Sequence, residues 1–142
     1  METIGTIEIS KSTELNFYVE GYKDVLYGNI RKFITTEKYT GPTKKGIMLS
    51  HENLKEIIKK INDNIESFKK FEEVKQEVKL DDERYINIAI VTFKEKKYFE
   101  LREYLNTEKY SGPTKKGVTI PVAHFEETLV FLTKMDAFLE KK

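Results

Sequence analysis

The sequence predicts an α+β protein made of two tandem strand–strand–strand–helix units, paired about a pseudo-two-fold axis within one chain. Three observations carry this. An eleven-residue segment recurs almost unchanged, as TEKYTGPTKKG at 36–46 and TEKYSGPTKKG at 107–117. Ahead of it in both copies, apolar and polar residues alternate with the period of a half-buried strand. Behind it, apolar residues recur at spacings of three and four, the period of a helix with one buried face.

The repeat extends well beyond that segment. At an offset of 71 residues in a chain of 142, Leu15, Phe17 and Val19 fall on Ile86, Ile88 and Ile90. Likewise Tyr22 falls on Phe93, Ile30-Arg31 on Leu101-Arg102, and Leu54, Ile58 and Ile61 on Phe125, Leu129 and Leu132. Two copies are too few to stack as a solenoid, so a pseudo-symmetric pair is the natural architecture. The expected extents are 1–70 for the first unit and 84–142 for the second, with 71–83 a linker or an extension of the first helix.

Each copy is read in the same order. Leu15, Phe17 and Val19 alternate with Asn16, Tyr18 and Glu20 as a first strand, and Gly21-Tyr22-Lys23-Asp24 suits a hairpin turn. A second strand places Ile30 and Ile34 on one face and Asn29, Arg31 and Phe33 on the other; Leu101 and Leu105 oppose Arg102 and Tyr104 in the second copy. Gly41-Pro42 is then read as a turn, because Pro fixes φ and Gly tolerates positive φ. Ile47-Met48-Leu49 is a short third strand. Ser50 caps a helix with a stripe of Leu54, Ile57, Ile58, Ile61, Ile65 and Phe68, which can run on through Phe71, Val74 and Val78 to the acidic Asp81-Asp82-Glu83 stop. The second helix is expected to start at Pro121, where a missing N–H costs nothing.

Composition narrows the function. A 39% hydrophobic and 12% aromatic content supports a packed core, and the absence of Cys excludes disulfides and thiolate metal sites. The sequence shows neither a secretory signal at METIGTIEIS nor a long apolar run, so a soluble cytoplasmic protein is expected. Net charge is +1, yet it is segregated: residues 84–120 carry +4 and residues 51–83 carry −3. Strand regions are basic and helix regions acidic.

The six-residue Gly41–Gly46 motif is not a phosphate-binding loop of the nucleotide-hydrolase type, which needs Lys-Ser/Thr directly after its last Gly; Ile47 or Val118 follows here. A strand connection explains the Gly and Pro but not two adjacent lysines kept in both copies. Lys44, Lys45, Lys115 and Lys116 are therefore candidate phosphate contacts. Arg31 and Arg102 share a strand face with Phe33 and Tyr104, and Tyr39 and Tyr110 lie close by. Rings interleaved with cations suit single-stranded nucleic acid, whose unpaired bases stack on aromatic faces. His51 and His124 are read as solvated helix residues without the partners that metal binding or general-base chemistry needs. No catalytic constellation, metal site or cofactor is read from the sequence.

The run Phe93-Lys-Glu-Lys-Lys-Tyr-Phe-Glu-Leu-Arg-Glu-Tyr104, then Pro113-Thr-Lys-Lys-Gly-Val-Thr-Ile120 and a helix, resembles the C-terminal domain of the transcriptional positive cofactor four family. Both copies match over nearly their whole length. The resemblance implies a family dimer fused into one polypeptide, with curved antiparallel sheets, that binds single-stranded DNA with little sequence preference and regulates transcription. It adds the hairpin residues Tyr22, Lys23, Phe93, Lys94 and Lys96 to the implied contacts. The chain departs from the family pattern where Ile34 and Leu105 replace a stacking Trp, and where Lys32 replaces the Glu that Glu103 retains. The more basic second copy is expected to contribute more to binding. An RNA-binding module of the same fold and a protein–protein adaptor of the transcription machinery are the alternative readings; no membrane partner is expected.

Overall fold

The computed structural model describes residues 1–142. Its strands are β1 (Glu2–Ser10), β2 (Thr13–Tyr22), β3 (Val25–Thr35), β4 (Thr40–Leu49), β5 (Lys75–Lys79), β6 (Arg84–Phe93), β7 (Lys96–Asn106) and β8 (Ser111–Pro121). The helices are α1 (His51–Asp63), α2 (Ile65–Lys69) and α3 (Phe125–Glu140). The strands form one mixed sheet in the order β1-β2-β3-β4-β8-β7-β6-β5. All neighbours within each half are antiparallel, and the halves meet at one parallel bridge between Gly46 and Lys116. The two units anticipated from the repeat are both present, each with an additional outer strand, β1 or β5.

Three local features differ from the sequence reading. The first helix does not continue through Phe71, Val74 and Val78: α2 ends at Lys69, Phe71 turns the chain back at φ 56°, and Val78 joins β5. The segment 71–83 thus contains a strand rather than a helical extension. Second, Gly41–Gly46 is a bulged stretch of β4, not the turn; the turn lies earlier, closed by the Thr36 N–H on the Tyr39 carbonyl at 2.7 Å. Third, α3 starts at Phe125 and not at Pro121. Ser50 caps α1 by accepting from the Asn53 N–H, whereas Pro121, its counterpart, has no side-chain acceptor and is followed by a 3-10 turn at Val122–His124.

Both hairpin tips are two-residue turns with positive φ at both central positions, Lys23-Asp24 and Lys94-Glu95. That geometry matches the twist of the flanking strands. It projects Tyr22 and Phe93, 55% and 61% exposed, at the ends of the molecule.

The helices are exchanged between the halves. In α3, which belongs to the second copy, Phe131 packs on Phe17 of β2 with ring centroids 5.1 Å apart. Met135, fully buried, lies directly over Gly28 of β3, where any side chain would collide with its sulfur. Reciprocally, Phe68 of α2 packs between Phe99 of β7 and Phe125, at 5.8 and 5.7 Å. One continuous core therefore includes Phe17, Ile30, Phe68, Phe99, Leu101 and Met135. Because this core is shared, Met135→Ala should destabilise the whole chain by about 2–5 kcal/mol through lost burial and a residual cavity. Urea denaturation is expected to keep a single transition; a separate early transition for one half would contradict the shared core.

Candidate nucleic-acid interface

The duplicated Gly-Pro-Thr-Lys-Lys-Gly segment is built as a rigid bulge that displays its lysines. Gly46 and Gly117 allow β4 and β8 to cross their neighbours closely, since an added Cβ would stand 2.7 Å from the carbonyl oxygen of Ile30 or Leu101. The Thr43 hydroxyl donates to the Lys32 carbonyl at 2.8 Å and accepts from the Lys45 N–H at 3.1 Å. Thr114 repeats both bonds with Glu103 and Lys116, at 2.7 and 3.1 Å. Arg31 and Arg102 then reach across and donate to the Thr43 and Thr114 carbonyls, each at 3.0 Å. The Tyr39 and Tyr110 hydroxyls close the far side by donating to the Pro42 and Pro113 carbonyls, each at 2.6 Å. Every polar side chain of the bulge is engaged except the lysines.

These bulges border two clefts of about 600 and 610 Å³ related by the pseudo-two-fold. The first is lined by Arg31, Lys44 and Met48 of the first copy and by Arg84, Glu103 and Lys116 of the second. The second is lined by Lys32, Lys44 and Lys45 of the first copy and by Arg102, Lys115 and Thr119 of the second. Each cleft thus draws cations from both copies, and each copy supplies four of the lining cations.

The sequence-derived residues divide into four groups. Arg31, Lys44, Lys45, Arg102, Lys115 and Lys116 line the clefts. Tyr39 and Tyr110 stand beside them on the bulges, about half exposed and held by their hydroxyls. The hairpin residues Tyr22, Lys23, Phe93, Lys94 and Lys96 are not among the lining residues; Lys23 and Lys94 rest over the Tyr22 and Phe93 rings, each at 5.4 Å. Phe33 and Tyr104 are partly buried in ring pairs, with Tyr18 at 6.5 Å and with Tyr85 at 5.3 Å. Burial, reinforced by the Glu100 carboxylate, raises the Tyr104 phenol above its ordinary pKa, so it stays neutral.

Sequence reasoning missed Lys32, Glu103 and Arg84. Lys32 and Glu103 alternate with Arg31 and Arg102, on the face of the core positions Ile30 and Leu101, and pair across the strands with Leu15 and Ile86. The only signal was the Lys32-for-Glu exchange itself. Arg84 is anchored by Asp81 at 2.9 Å and Glu103 at 3.2 Å. Asp81 in turn is held below the usual carboxylate range, first by the Glu83 N–H and then by the Arg84 side chain.

His51 is not merely solvated. Its Nε2 lies 2.7 Å from Asp136 and 3.3 Å from Glu140, where Lys55 also approaches Glu140 at 2.8 Å. These are the residues whose donor atoms come close enough for a metal ion. The Lys55 ammonium already supplies a positive charge there, and the cluster joins the start of α1 to the end of α3. No helix is long and apolar enough to cross a membrane.

The bulge makes a direct prediction. Thr114→Val removes one donor and one acceptor and should cost about 1–3 kcal/mol in thermal unfolding; an unchanged midpoint would show that these bonds do not hold the lysine bulge.

No curated protein matches the sequence. The family model described as Transcriptional Coactivator p15 (PC4) matches twice, over residues 9–60 and 78–129, one match per repeat. The matches together span well over half the chain, and both contain the lysine bulge and the arginine that pins it. The chain therefore belongs to the family of the transcriptional coactivator p15 (PC4), with two copies of the family unit in one polypeptide.

Proposed function

We propose that this protein is a non-enzymatic transcription regulator that binds single-stranded DNA with little sequence preference. The observation that carries the reading is the pair of clefts into which Lys44, Lys45, Lys115 and Lys116 project from rigid bulges without an acidic partner. Ammonium groups held this way neutralise phosphates without first breaking internal ion pairs. Tyr39 and Tyr110 offer exposed ring faces beside the clefts, and each has its hydroxyl tied down, so stacking a base on it costs little ordering. Tyr22 and Phe93, each with a lysine over its ring, extend the aromatic and basic surface toward the hairpin tips.

None of these groups reads base edges in a fixed pattern, which favours sequence tolerance. Phosphate neutralisation and stacking also leave the sugar unread, so matched DNA and RNA oligomers are the competitors that define the substrate class.

Fluorescence anisotropy with a labelled oligo-dT tests the proposal. Four neutralised phosphates on a single strand correspond to a loss of about 50-fold in affinity between 50 and 200 mM salt. That slope is expected, together with weaker binding to duplex of the same length. Absence of oligonucleotide binding at low salt would overturn the proposal in favour of a protein-binding adaptor, and preference for the RNA oligomer would reassign the substrate.

A further inference from the structure

We infer that the two clefts are unequal and that the chain holds one strand tightly, in the cleft containing Lys32, with Glu103 disabling the other. This rests on the single-stranded DNA reading above and specifies how that surface is used. The backbones of the two clefts are near copies, so a charge that differs between them stands out. Position 32 of the first copy corresponds to position 103 of the second, at the repeat offset of 71 residues. Lys32 lines one cleft and Glu103 lines the other.

A second, coupled difference supports this. Arg84 lies beside Glu103, with its guanidinium 3.2 Å from the carboxylate, and its counterpart in the first copy is the neutral Thr13. The acid and its arginine therefore occur together in one cleft, and in the other neither is present. In the Lys32 cleft five cations line the wall with no carboxylate among the lining residues. Arg102 alone of these has an acidic neighbour, Glu100 at 3.2 Å. In the opposite cleft Glu103 is only 9% exposed and ties up Arg84, which leaves Arg31, Lys44 and Lys116 as the cations free to meet a phosphate. A phosphate entering there is attracted less, because the Glu103 carboxylate offsets part of the field in a partly desolvated site, where charges act more strongly than in water.

Lys44 lines both clefts, which links them at the centre of the molecule. A strand seated along Lys32, Lys45 and Lys115 neutralises Lys44 as well and further weakens the Glu103 cleft. The device amounts to a two-fold scaffold with one-sided occupancy written into the sequence, which two identical chains cannot encode.

The test uses the full chain and a short labelled oligo-dT, with affinity from anisotropy and stoichiometry from native mass spectrometry. Wild type is expected to bind one oligomer tightly. Lys32→Glu should weaken that binding roughly tenfold or more and Lys32→Gln by a smaller factor, since the first changes the charge of the phosphate track by two and the second by one. Glu103→Lys should admit a second oligomer. Unfolding midpoints of the variants separate loss of binding from loss of fold. Two oligomers of equal affinity on wild type, or equal affinity of wild type and Lys32→Glu, would overturn the inequality while leaving single-strand binding intact. Failure of wild type to bind at all would instead remove the reading on which the inference rests.

Discussion

The exchange of helices between the two copies is the constraint on which the remaining architecture depends. Phe131 and Met135 of α3 rest on the first copy's β2 and β3, while Phe68 of α2 rests on β7 of the second. Each half also keeps part of its own cover, since Phe125 of α3 packs on Phe99 of β7 at 5.3 Å and α1 lies against β3 as well as β5. Apolar faces of this size must be buried, and here each is buried in part by a segment from the other copy. The single parallel bridge at Gly46 and Lys116 is too slight to orient the halves alone. Helix exchange orients them instead, bringing the two lysine bulges to a shared centre.

From that arrangement follows the character of the clefts. Their walls come from both copies, so neither unit forms a cleft without the other. The bulges are locked by buried or half-buried partners: threonine hydroxyls, the Arg31 and Arg102 guanidinium groups and the tyrosine hydroxyls. The lysines are left to solvent, beside the half-exposed rings of Tyr39 and Tyr110. Duplication within one chain then allows what a symmetric pair of chains does not, independent change at Lys32 and Glu103 on an otherwise common frame. The same freedom shows in the helices, where the ionic cluster of His51, Lys55, Asp136 and Glu140 joins one end of the pair.

Much of this was legible in the residues. The repeat, the hairpins, the stripe of α1 and the paired lysines were all periodic or identical features, and periodicity survives folding. What escaped was set by distance in sequence. β1 carries only Ile7 as a fully buried residue and β5 only Val78, too few for an alternating pattern to be decisive. The Gly-Pro pair read as a turn because its local chemistry favours one; β3 overrode that by pairing with the segment as a bulged strand. His51 lacked visible partners because they lie on α3, 85 residues away. Lys32 lies by alternation on the face of Ile30, and only the opposing copy turns that position into the wall of a cleft.

Native-state hydrogen exchange measures the helix exchange most directly, because it reports opening of each half separately. Amides of Ile30 in β3 and Leu101 in β7, both fully buried, are predicted to exchange through the same global opening, with equal free energies that fall together as denaturant is added. Exchange of one of these strands through a sub-global opening, at a free energy lower by more than about 1 kcal/mol, would contradict the interlocked core.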